Sequence, residues 1–153
     1  MRIATLLLLV TGLLPLGSRP AAAQPATQLT MSAPPASMII SSALAGNQPT
    51  AITSSTATYF IVDKTPSGTR KLTAQINTPM PAGTNLSINL VPSATATSLG
   101  AVNLSTIAQD VVVNISHENG STLGITYVFG ATTAAGVVPS QSRTVMLTLL
   151  VYP

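Results

Sequence analysis

The sequence predicts an all-β chain, and three observations predict it. Apolar residues alternate with polar ones, β-branched Thr, Val and Ile are abundant, and Pro or Gly recurs about every ten residues. Helical signals are lacking: no stretch keeps apolar residues at three-four spacing between caps, and Ser, Thr, Gly or Pro interrupts the Ala-rich pieces. Candidate strands fall at residues 27–33, 37–44, 50–53, 56–63, 69–77, 84–91, 100–105, 109–116, 121–131 and 142–152. Lys64-Thr65-Pro66-Ser67-Gly68 has hairpin chemistry, because Pro presets one φ and Gly accepts a positive one; it is expected to join residues 56–63 to 69–77. Glu118-Asn119-Gly120 is expected to do the same between 110–116 and 121–131, Asn-Gly being the strongest short hairpin signal. Pro79-Met80-Pro81-Ala82-Gly83 makes a third tight break, and residues 131–141 form a longer loop. Short antiparallel strands at this spacing predict an immunoglobulin-like β-sandwich of about 7–9 strands.

The N-terminal residues read as a secretory signal peptide, residues 1–23. Arg2 supplies a positive start, residues 3–16 are almost wholly apolar, and Ala21-Ala22-Ala23 ends a small-residue stretch suited to cleavage. The apolar run is shorter than the roughly 20 residues of a membrane span, so no transmembrane span is expected after cleavage. Residues 24–36 are expected to form an extended arm and residues 37–153 the sandwich domain. The chain has no Cys, which rules out disulfides, thiolate chemistry and a lipid-modified Cys anchor. Export without disulfides points to a bacterial envelope, hence to a secreted or cell-surface location, periplasmic or extracellular.

Removing residues 1–23 from the 153 leaves 130, enough for one domain with a core. The remaining charges are Lys64, Arg70, Lys71 and Arg143 against Asp63, Asp110 and Glu118. So small and balanced a set offers no field for nucleic acid or anionic lipid. Hydration rests on Ser, Thr, Asn and Gln, and copies of the chain repel one another little.

The chemical inventory argues against an enzyme: one His, three acids and many hydroxyls. Ser116-His117-Glu118 has the residue types of a triad, but neighbouring strand or turn residues point in different directions, and the segment is expected at a solvated hairpin tip. One His without thiolates cannot complete a zinc site, and three scattered acids do not make a calcium site. No Gly-rich run follows a strand to cradle phosphate, so no cofactor is expected. Asn85, Asn103, Asn114 and Asn119 each begin an Asn-x-Ser triplet, a density that chance explains in a chain rich in Asn and Ser. Thr58-Tyr59 with Arg70, and Thr126-Tyr127 with Arg143, echo each other at unequal spacing, which chance also explains.

Two segments stand out. The last segment, Arg143-Thr144-Val145-Met146-Leu147-Thr148-Leu149-Leu150-Val151-Tyr152-Pro153, is largely apolar on both faces. The simpler account is a central strand covered on both sides; the other is a strand buried by a second chain. Gln28-Leu29-Thr30-Met31-Ser32-Ala33 alternates and stops at Pro34-Pro35. It is either the first strand of its own sheet or an extended peptide that pairs with a neighbour's sheet edge, with Leu29 and Met31 as anchors.

An alternating N-terminal arm, a sandwich body and an apolar last strand with penultimate Tyr152 resemble the subunits of chaperone–usher pili and the related spore-coat-U-like secreted proteins. The chain departs from that family in lacking its common disulfide and in the position of Gly136. The resemblance implies a donated N-terminal strand and a C-terminal strand beside an acceptor groove. The self-association residues expected are therefore Leu29, Met31, Val145, Leu147, Leu149 and Tyr152, and the partners other copies of the chain or other envelope proteins. The function expected is a non-catalytic structural protein of the cell surface or extracellular matrix, in the form of a filament subunit. The alternative is an adhesion or carbohydrate-binding module, although all five aromatics, Tyr59, Phe60, Tyr127, Phe129 and Tyr152, fall within predicted strands. A small outer-membrane barrel ranks below both, for want of aromatic girdles and of enough strands of about ten residues.

Overall fold

The computed structural model describes residues 26–32, 34–41, 47–65 and 68–153. The expected signal peptide, residues 1–23, lies outside them. Among the described residues nine strands form two antiparallel sheets, with one 3-10 turn at Thr133–Ala135 and no α-helix. The strands are β1 (Thr27–Met31), β2 (Ile52–Asp63), β3 (Thr69–Ile76), β4 (Thr84–Leu90), β5 (Thr97–Ser98), β6 (Val102–Asn103), β7 (Gln109–Ile115), β8 (Glu118–Ala131) and β9 (Val145–Tyr152). The first sheet runs β1-β2-β8-β4-β6 and the second β5-β7-β3-β9. The predicted antiparallel β-sandwich is the observed fold.

Period-two alternation builds the core. Tyr59 and Ile61 on β2, Ile88 and Leu90 on β4, and Ile125 and Tyr127 on β8 face Leu72, Ala74 and Ile76 on β3 and Val111 and Ile115 on β7, all of them buried. Burying such side chains stabilises by about 1.5–3 kcal/mol each. In β7 the alternation breaks, and Val111, Val112 and Val113 are all buried. Two register shifts against β3 explain this: each inserts an extra β7 residue, one of them around Asn114 at φ +58.

Several expected elements differ. Residues 50–53 and 56–63 are one strand, β2, continuous through a bulge between Ser54 and Ala57. Residues 37–41 of the expected 37–44 strand form no ladder, and 42–44 lie outside the described residues. The two predicted hairpins are not hairpins. β2 pairs with β1 and β8, whereas β3 pairs with β7 and β9, so the two strands lie in different sheets. The β7–β8 and β3–β4 connections also cross between sheets. Asn119-Gly120 sits inside β8, where Gly120 at φ +114 forms a bulge opposite the Ile61–Asp63 stretch of β2; the reversal itself comes earlier, at His117 with φ +50. Turn residues specify that the chain reverses. Burial of apolar faces decides whether the returning strand pairs beside its predecessor or packs across from it.

The last strand is also not central. β9 pairs with β3 through all eight residues and is the terminal strand of the second sheet. Its two apolar faces therefore have no explanation in burial between two neighbouring strands.

Candidate functional site

The candidate site is built from two sheet edges. β4 and β6 approach β7 across the sandwich, which sets β1 and the start of β2 on the same flank as β9. Along β9, Val145, Leu147 and Leu149 face the core and pack against it while remaining only partly buried. Met146, Leu150 and Val151 are 41%, 42% and 67% exposed. Tyr152 lies opposite Thr69 and is partly buried, with Lys71 Nζ 5.8 Å from its ring centroid. The register of β9 against β3 has no bulge, and the strand contains neither Pro nor a charged residue.

On the other sheet, β1 pairs with β2 of its own chain, Leu29 opposite Ile61 and Met31 opposite Tyr59. Leu29 packs against the core, and Met31 is 38% exposed. The pairing is extended by Ser32, whose N–H donates to Thr58 O at 2.8 Å and whose Oγ accepts from Thr58 N–H at 2.7 Å. The six residues expected to mediate self-association thus divide between the β1 edge and the β9 edge of one flank.

Between these edges a cavity of about 1280 Å³ opens to solvent, lined by Met38, Met80, Leu86, Tyr127, Phe129 and Val145 among others. Arg143 stands at its rim. Its Nε and Nη2 donate to Pro79 O at 3.2 and 2.9 Å, its Nη1 donates to Ser142 O at 2.9 Å, and its Nη2 also meets Gln141 Oε1. Sequence reasoning missed Met38, Met80, Leu86 and Phe129 as lining residues and Met146, Leu150 and Val151 as exposed ones. The signal for the second group was present, since a strand apolar on both faces must be covered twice.

The polar groups lie elsewhere. Asp63 is fully buried and accepts from Thr65 Oγ1 at 2.6 Å, Thr65 N–H at 3.3 Å, Thr27 Oγ1 at 3.4 Å and Arg70 Nε at 3.1 Å. Burial pushes its carboxyl up, but the hydroxyl and amide of Thr65 and the Arg70 guanidinium outweigh this and hold it below the usual range. Glu118 is buried as well, accepting from Thr95 Oγ1 and Ser121 Oγ at 3.1 Å each, which corrects the expectation of a solvated turn. Ser116 offers its carbonyl to Thr95 Oγ1, and His117 is exposed. Ser116, His117 and Glu118 therefore do not hydrogen-bond in series. Lys71 and Asp110 form an ion pair at 3.0 Å on the outer face of the second sheet. Among the described residues no three of His, Cys, Asp and Glu gather where a metal could be held.

No family model matches this chain, and no curated protein matches it. Among solved structures, a chain from a chaperone–usher pilus, described in connection with rod uncoiling, aligns with 93% of this chain and 100% of its own length, at 12% identity and a TM-score of 0.44.

Proposed function

We propose that this chain is an exported, non-catalytic structural protein of the bacterial cell surface or extracellular matrix, a subunit whose copies join by main-chain pairing at the β9 edge. One observation carries the reading: an eight-residue strand, apolar on both faces, lies at the end of a sheet and itself carries no charge, Pro or bulge. Natural edge strands are protected by Lys, Pro, bulges or brevity, because their free N–H and C=O groups template pairing with another chain. β9 has none of these protections. An incoming extended segment would satisfy its backbone, complete the cover of Val145, Leu147 and Leu149, and fill the adjoining cavity with alternate side chains.

The test is assembly of the purified mature protein, followed by size-exclusion chromatography and electron microscopy. Wild-type protein is expected to form concentration-dependent linear assemblies, and Met146→Lys with Leu150→Lys to shorten or abolish them at an unchanged melting temperature. Strictly monomeric wild-type protein at high concentration overturns the proposal. Carbohydrate binding has less support: Tyr59 and Tyr127 are buried, and Phe60, Phe129 and Tyr152 are partly covered, so sugar rings lack an exposed aromatic platform among them.

A further inference from the structure

The charges of the chain are divided unequally between its two sheets. The strands of the first sheet contain two ionisable acids, Asp63 and Glu118; they face each other in register at one end, and both are buried. Every other residue of β1, β2, β4, β6 and β8 is uncharged. The second sheet, by contrast, carries the Lys71–Asp110 pair on its outer face.

Since Leu29, Tyr59, Ile61, Ile88, Leu123 and Ile125 face inward, the outward rows of the first sheet follow from alternation. They are Thr58, Phe60 and the buried Val62 on β2, Asn85, the buried Ser87 and Asn89 on β4, and Thr122, Gly124, Thr126 and Val128 on β8. The registers bring them side by side: Thr58 with Gly124, Asn89 with Thr126, Ser87 with Val128. Gly124 and the buried Ser87 raise no side chain above the middle of the face, and the Val91 side chain stands beside Gly124. Val91, 52% exposed, and the half-buried Phe60 add apolar contact to the face.

We infer that this uncharged outer face of the first sheet packs against the same face of a second copy, in a two-fold, sheet-on-sheet contact separate from the β9 edge. Three physical arguments select a second copy as the occupant. The face brings no charge into the contact, so self-apposition incurs neither like-charge repulsion nor the desolvation of an ion. Thr, Ser and Asn side chains both donate and accept, so an array of them complements itself across a two-fold axis. The area also suffices. β2 and β8 run 12 and 14 residues. At about 3.3 Å per residue and about 4.8 Å between strands, β1, β2, β8 and β4, of 5, 12, 14 and 7 residues, cover roughly 600 Å², the lower end of what each partner contributes to a stable interface. The same protein then has two kinds of contact: edge pairing that extends an assembly and face pairing that joins assemblies sideways.

Sedimentation velocity over a concentration series tests it, on the mature chain carrying Met146→Lys and Leu150→Lys so that edge pairing is suppressed. A compact dimer is expected to persist in that background. Adding Asn89→Lys, an exposed change, is expected to raise its dissociation constant about tenfold or more by setting like charges across the axis. Adding Thr126→Lys at the centre should do the same, with circular dichroism confirming that both variants remain folded. A monomer in the edge-blocked background, a dimer indifferent to Asn89→Lys, or a face that retains a neutral polysaccharide in pull-downs while the protein stays monomeric would each overturn the inference. Linear assembly of the wild type is read separately, so failure of the face contact leaves the β9 reading standing, and the reverse.

Discussion

Tyr59 ties the first sheet to the loop beyond β4: its hydroxyl donates to Val91 O at 2.6 Å while its ring fills the core at 1% exposure. Burial, and secondarily the charge of Glu118, pushes this phenol up to about 12. The folded chain therefore holds a proton that the unfolded chain releases near pH 10. The stability from neutral Tyr59 is fully present below pH 10 and is lost as pH rises towards 12. Tyr59→Phe should lower stability by about 1–2 kcal/mol at pH 7 and flatten the decline between pH 10 and 12, as read from urea midpoints at each pH. Asp63 works in the opposite direction. Its carboxyl lies below its ordinary value of 3.8, so its contribution is present above that pH and disappears as pH falls through the folded value. Asp63→Asn leaves Arg70 without its carboxylate, and a loss of about 2–3 kcal/mol at neutral pH is expected, shrinking in acid. Wild type and variant that differ equally at pH 7 and pH 2 would refute this account of Asp63.

The elements themselves were largely legible in the sequence, because alternation and β-branched residues act locally: residues 69–77, 84–91, 109–116 and 142–152 each contain the strand observed there. The pairing partners were less so. Lys64 to Gly68 and Glu118 to Gly120 have the chemistry of reversal, yet pairing depends on which face finds a core, and that is set by residues far away in the chain. The edge position of β9 was illegible for the same reason, although its double apolar character pointed to the anomaly. The cavity could not be foreseen, since Met38, Met80, Leu86 and Phe129 belong to four separate segments that only topology brings together. Gly83 shows how tightly one crossing is built. It adopts φ +75, and a Cβ there would stand 2.8 Å from the backbone N and Cα of Ala135. Its carbonyl also accepts from Thr132 N–H at 2.7 Å, joining the β3–β4 crossing to the loop after β8. Gly83→Ala should therefore cost about 2–4 kcal/mol in denaturant unfolding, more than the roughly 1 kcal/mol of a glycine replaced in open space.

At the scale of the whole molecule, the flank between β1 and β9 holds part of the fold's stability and, under the proposed function, is also where copies join, so the role of β1 decides how the two are coupled. β1 closes the first sheet within its own chain: five residues pair with β2, Leu29 packs on the core, and Thr27 reaches Asp63. Deleting residues 24–33 removes that cover and leaves Tyr59 to Asp63 along an open edge. The loss of Leu29 burial together with its ladder should lower stability by about 2–5 kcal/mol, which for a domain of this size lowers the melting temperature by about 10 °C. The same deletion leaves β9 untouched. If each copy keeps its own β1, the shortened chain will melt lower yet still assemble through β9, and its newly bared β2 edge will make it more prone to aggregate. If β1 instead works between copies, the shortened chain will melt with the full-length monomer and cease to assemble. Calorimetry and electron microscopy on one preparation separate these outcomes. The pairing of β1 with β2 and the burial of Leu29 favour the first.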